Sequence, residues 1–89
     1  MKAVITVVGS DKVGIISNVS RILAERDVNI LDISQTIMQN MFTMIMLVDV
    51  ERAQVDVKEL SSEMNQLGQE MELTIHVQNE AVFESMHRI

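Results

Sequence analysis

The sequence predicts an α+β sandwich whose elements run strand, helix, strand, strand, helix, strand, with a four-stranded antiparallel sheet carrying both helices on one face. Three observations predict it. Two segments, Lys2 to Val8 and Phe42 to Val50, are apolar on both alternating faces, as strands with a neighbour on each side tend to be. Two others, Asn29 to Gln39 and Glu72 to Gln78, alternate apolar with polar residues, which suits the edges of a sheet. Between these lie two stretches whose apolar residues recur every three or four positions, the period of a helix with one buried face.

Taken in order, the first strand is interrupted only by Thr6 and leads into a tight loop holding Gly9, Ser10, Asp11 and Gly14. Ile15, Ile16, Val19, Ile22 and Leu23 then make the inner face of the first helix, with Ser17, Arg21 and Glu25 outward; Ser10 or Asp11 is placed to cap it. Arg26, Asp27 and Val28 return the chain to the sheet. In the second strand Leu31, Ile33 and Ile37 point one way and Asp32, Ser34 and Thr36 the other. Gln39, Asn40 and Met41 make the turn, without the glycine that favours a tight hairpin. Val57, Leu60, Met64 and Leu67 form the inner face of the second helix, with Lys58, Glu59, Ser61 and Glu63 outward and Gly68 near its end. In the last strand Leu73, Ile75 and Val77 oppose Thr74, His76 and Gln78. Strands one and three are therefore central, and strands two and four are edges. Val82, Phe83, Met86 and Ile89 are spaced for a further short amphipathic helix. A helix of about ten residues is marginal alone in water, so it must dock on its own sheet or on a partner subunit.

Eighty-nine residues make one domain, and a domain of this size hides only about two-thirds of its unfolded surface, so self-association would help it. No run of 18 apolar residues exists, which points to a soluble, cytoplasmic protein without a membrane span or signal. A net charge of −6 works against binding a phosphate backbone. The absence of cysteine removes disulfides, thiolate metal sites and a cysteine nucleophile. With no Trp or Tyr and two Phe, little surface is left for stacking on bases.

The chemistry concentrates where the first loop meets the first helix, because a helix N-terminus presents unpaired N–H groups and a partial positive charge to a carboxylate or phosphate. Backbone N–H groups around Gly14 and Ile15 suit a carboxylate, while Asp11 and Asn29 can meet the other polar atoms of a zwitterion. The blander alternative makes Gly14 a packing glycine and Asp11 a cap. His76 and His87 lack the spacing of a metal site. Glu59, Glu63 and Glu70 are scattered, with no paired acid and base. No catalytic residue, metal or cofactor is therefore expected. Among eight methionines, Met38, Met44 and Met46 fall on the second and third strands, where they either fill the core or form an adaptable contact surface. Helices on one side of the sheet leave the other in need of cover, which favours an isologous homodimer.

In order and spacing, Asp11, Val13, Gly14, Ile15, Asn29 and Ile30 resemble the ACT domain family of small-molecule regulatory modules. The resemblance runs from the first strand to near Gln78, which marks residues 1–78 as the ACT domain and 79–89 as a C-terminal extension. It looks closest to small stand-alone ACT proteins related to the regulator of the glycine cleavage system, whose ending resembles Gln78, Phe83, Met86, His87, Arg88 and Ile89. The resemblance implies a ferredoxin-like fold and a non-catalytic regulator, with an amino acid bound by those six residues between subunits, near the first loop and second strand. It also implies a regulated protein partner. The larger regulator pairs two ACT units in one chain; this chain has one, and so would complete an intersubunit site by dimerising. A dimerising adaptor without ligand is the alternative. Acyl phosphate hydrolases and metal chaperones of similar fold would need a basic phosphate loop or paired cysteines, and Lys12 is the only basic residue in the loop.

Overall fold

The computed structural model describes residues 1–86, and in it the alternating and helical patterns become β1 (Lys2–Ser10), α1 (Ile15–Glu25), β2 (Asn29–Met38), β3 (Met41–Asp49), α2 (Val57–Met71), β4 (Leu73–Asn79) and α3 (Glu80–Met86). The strands pair antiparallel in the order β2-β3-β1-β4, so β1 and β3 are central and β2 and β4 are edges, as expected. Ala3, Ile5 and Val7 of β1 and Phe42, Met44, Met46 and Val48 of β3 bury one face of the sheet against Ile15, Val19 and Leu23 of α1 and Leu60 and Met64 of α2. Both long helices therefore cover the same face. Each of these side chains except the smaller Ala3 contributes on the order of 1.5–3 kcal/mol by leaving water. The methionines divide: Met44 and Met46 are fully buried, whereas Met38 is 68% exposed.

The chain departs from the sequence reading in several places, each with a local cause. β1 runs on through Gly9 and Ser10, which pair with Phe42 and Met41 of β3, and Gly9 eases the approach of β4, since a Cβ there would stand 2.6 Å from Leu73 Cδ2 and 3.3 Å from Leu73 Cα. The hairpin turn is Gln39 and Asn40 alone, both left-handed with φ of 51° and 70°, so Met41 opens β3 instead of ending a turn. Leu31 is not part of the β2 alternation. The register passes from Ile30 opposite Val48 to Asp32 opposite Leu47, which leaves Leu31 as a bulge and sets Ile30, Ile33 and Ile37 on the helix-bearing side.

Asp56 caps α2 by accepting from the Glu59 N–H at 2.8 Å. The helix continues past Gly68 to Met71 and stops at a left-handed Glu72. Gly68 is there for close approach, since a Cβ would meet the Leu73 carbonyl oxygen at 2.6 Å. Glu63 does not simply face water: it takes two hydrogen bonds of 2.9 Å from Arg26 at the end of α1. The carboxylate raises the Arg26 pKa above its ordinary value, through that hydrogen bond and its charge. α3 packs on β1 and β4 of its own sheet. Val4 points away from the main core yet is only 6% exposed, and α3 is the element placed to cover it. His87, Arg88 and Ile89 lie outside the described residues. No described helix is long and apolar enough to cross a membrane.

Candidate functional site

The loop between β1 and α1 is held from both sides. On one side the Asp11 N–H donates to the Asn40 carbonyl in the β2–β3 hairpin at 2.8 Å. On the other, Lys12 Nζ donates to the carbonyl of Met71, the last residue of α2. Between these ties Val13 is fully exposed, and Gly14 adopts φ 96° at the helix N-cap, a backbone that L side chains rarely enter. The expected cap from Ser10 or Asp11 is absent, because Ser10 is in the strand and Asp11 lies three residues short of Gly14. Ser17 Oγ and Asn18 Nδ2 instead donate to the Gly14 carbonyl, at 3.2 and 2.7 Å, beside the Asn18 N–H at 3.0 Å. The carbonyl at this corner is thus crowded with donors. The first-turn N–H groups receive no side-chain cap, which leaves them to a solvent or ligand acceptor.

Asp11, Val13, Gly14 and Ile15 share this end of the sheet, Ile15 with its side chain in the core. Asn29 and Ile30 do not. Ser10 pairs with Met41, whereas Asn29 pairs with Asp49 and Asp49 with Lys2, at the far end of the same strands. Eight strand steps separate the two rows, roughly 26 Å. Asn29 lines an open depression of 820 Å³ with Ala24, Asp27, Val28, Asp49, Glu51 and Arg52, none of which belongs to the loop. One protomer therefore does not bring the two groups of candidate residues together. Lys12 and Asn40 position the loop, yet sequence reasoning gave neither that part: their partners are 59 and 29 residues away, beyond any local pattern. Ser17 and Asn18, three and four residues after Gly14, were the positioning groups within local reach. Among the described residues, no three His, Cys, Asp or Glu side chains are grouped to hold a metal ion.

β2 itself is exposed along its length. All its residues from Leu31 to Met38 are open to solvent, and its outer edge has no strand beside it.

Comparison with known proteins agrees with this architecture. The ACT domain family model matches residues 2–78. A UPF0237 protein of Clostridium acetobutylicum is 53% identical over 89 residues, covering 100% of both chains. The solved ACT domain protein from Streptococcus pneumoniae superposes with a TM-score of 0.81 at 44% identity, over 94% of each chain. A solved structure named for a glycine cleavage system transcriptional repressor superposes with a TM-score of 0.74 at 27% identity, over 86% of this chain and 44% of that one. Because the match takes in β1, the glycine corner, the edge strand and nearly all of β4, the chain belongs to the ACT domain family, whose members are ligand-binding regulatory domains.

Proposed function

We propose that this protein is a non-catalytic sensor of an amino acid that acts as a homodimer, each ligand lying between the Gly14 loop of one copy and Asn29 of the other. One observation carries the reading: Gly14 and Asn29 occupy opposite ends of one sheet whose β2 edge is unpaired. A second copy resolves both facts. Two-fold pairing of β2 with its copy, Ser34 on the axis, sets Ile33 against Gln35 and Asp32 against Thr36. Past the extra residue Leu31, it sets Ile30 against Ile37 and Asn29 against Met38. Every pair then keeps to one face of the joined sheet. Met38 adjoins the turn whose Asn40 holds Asp11, so Asn29 of the partner subunit arrives at the loop.

In this arrangement the first-turn N–H groups take the ligand carboxylate and Asp11 takes its ammonium, while Asn29 of the partner subunit, on the face away from the helices, meets the ligand around the end of the joined sheet. The likeness to a solved structure named for a glycine cleavage system transcriptional repressor supports a regulatory role, and a net charge of −6 favours exercising it through another protein over direct contact with nucleic acid. Regulation requires only that ligand favour one arrangement of the dimer over another.

Titration calorimetry across the amino acids, on wild type, Gly14→Val, Asn29→Ala and a co-refolded equal mixture of the two variants, tests this. Each variant alone loses binding. In the mixture, half of the dimers hold both variants and each has one intact site, so about a quarter of the wild-type sites return. A mixture that recovers nothing removes the shared site. Equal heats for wild type and Gly14→Val remove the loop, and a flat screen with an intact dimer favours an adaptor.

A further inference from the structure

The geometry points to an uncharged aliphatic amino acid, of the valine, leucine and isoleucine class, as the ligand; this rests on the shared site proposed above. The wall beside the loop is apolar and open. Val13 is 100% exposed, Ile37 52% and Ile16, which the helical period put on the inner face of α1, 39%; the wall continues along β2 to Ile33, four residues from Ile37, at 43%. Ile33 and Ile37 stand on the helix-bearing side, opposite Met46 and Phe42, yet α1 stops short of covering them. The helix-bearing side of β2 carries only Ile30, Ile33, Gln35 and Ile37, with no charge among them.

Dimer formation through β2 sets side chains of the partner subunit beside this wall but lays no further layer over it, because strand pairing joins edges. It does add Ile30 of the partner subunit directly beside Ile37. A zwitterion anchored by its carboxylate at the first turn of α1 then projects its side chain over Ile16 and Ile37. That side chain is the occupant the wall fits.

The charges around the loop argue the same way. Among the described residues Lys12 is the only basic one there, and its ammonium is tied to the Met71 carbonyl at the end of α2, which leaves it less free to meet an acidic side chain. Asp11 would repel one. Glycine has no atoms to place on the wall, and each methylene buried there is worth roughly a three- to four-fold gain in affinity.

Competition calorimetry with valine, leucine, isoleucine, glycine, serine, aspartate, lysine and phenylalanine decides the matter on the intact dimer. The aliphatic three are expected to bind at least about ten-fold tighter than glycine or aspartate. Ile37→Ser and Ile16→Ser, checked for dimer mass by sedimentation, are each expected to shrink that preference several-fold, read as the ratio of leucine to glycine affinity on the same variant. Tightest binding by glycine, serine or aspartate overturns the inference and leaves the shared site standing. A preference for lysine overturns it too, placing the side chain in the depression beside Asp27 and Asp49 of the partner subunit. Phenylalanine as the tightest ligand also overturns it, and no binding by any amino acid removes both readings. An aliphatic preference unmoved in both dimeric serine variants shows that this wall is not its source.

Discussion

Lys12 and Met71 are joined by a hydrogen bond from the Lys12 ammonium to the Met71 carbonyl, so the loop beside Gly14 and the end of α2 form one unit. The last carbonyls of a helix lack partners within it and carry partial negative charge, which makes this the favourable end for a cation. Lys12→Met is expected to lower stability by about 1 kcal/mol, with Lys12→Arg retaining part of the contact. Urea denaturation measures it. Hydrogen exchange adds a local readout, since the Asp11 N–H should lose protection in Lys12→Met before the β1 core does. Unchanged exchange at Asp11 would mean that the hairpin contact alone sets the loop.

Gly68 is expected to tolerate alanine poorly, although alanine is the better helix former. The helical preference favours Gly68→Ala by about 1 kcal/mol, and overpacking against backbone typically costs about 1–3 kcal/mol. The added Cβ would meet the Leu73 carbonyl oxygen at 2.6 Å, and a carbonyl in a strand has no rotamer by which to move aside. The net effect is a loss of about 1 kcal/mol, or a fall in Tm of about 4–8 °C for a domain of this size. Gly68→Ala melting at or above the wild-type temperature would show that α2 can lift from β4 freely.

The turn at Gln39 and Asn40 offers the opposite sign. Both residues hold positive φ, a conformation that costs a side chain such as glutamine about 1–2 kcal/mol. Asn-Gly is the pair that such two-residue turns prefer. The double change Gln39→Asn with Asn40→Gly is expected to raise stability by about 0.5–1 kcal/mol. It keeps the hydrogen bond from Asp11, which uses the backbone carbonyl of residue 40. Thermal melts of wild type and variant, run side by side, give the answer.

What could be read in advance, and what could not, follows from the range of each interaction. The edge and central strands were legible because burial on one or both faces writes itself into alternation, as Thr74, His76 and Gln78 show against Val4 and Leu47. The Arg26 to Glu63 pair was not: the helical period put Glu63 outward, and only the packing angle of α1 on α2 brings a guanidinium over it. Leu31 was misplaced because a bulge changes the count of residues without changing their chemistry. The separation of Asn29 from Gly14 was implicit in the chain itself. An α1 of 11 residues must carry the chain about 16 Å along the sheet before β2 can start. The six family positions thus fall into two groups in one protomer, Asp11, Val13, Gly14 and Ile15 at one end of the sheet and Asn29 and Ile30 at the other.

The sharpest check on the dimer uses Ser34, the residue placed on the two-fold axis when β2 pairs with its copy. Residues facing each other across an antiparallel pair stand about 4.5–5.5 Å apart at Cα, within the span a disulfide bridges. The chain has no cysteine, so any bridge in a Ser34→Cys variant must join two copies at that position. Mild oxidation is expected to convert Ser34→Cys to a covalent dimer on a non-reducing gel, while Thr74→Cys, on the opposite edge strand, stays monomeric in the same gel. The bridge should leave amino acid binding intact, because Ser34 is midway between the two loops and belongs to neither. If Thr74→Cys crosslinks and Ser34→Cys does not, the copies meet through β4, and Asn29 of one copy cannot reach Gly14 of the other.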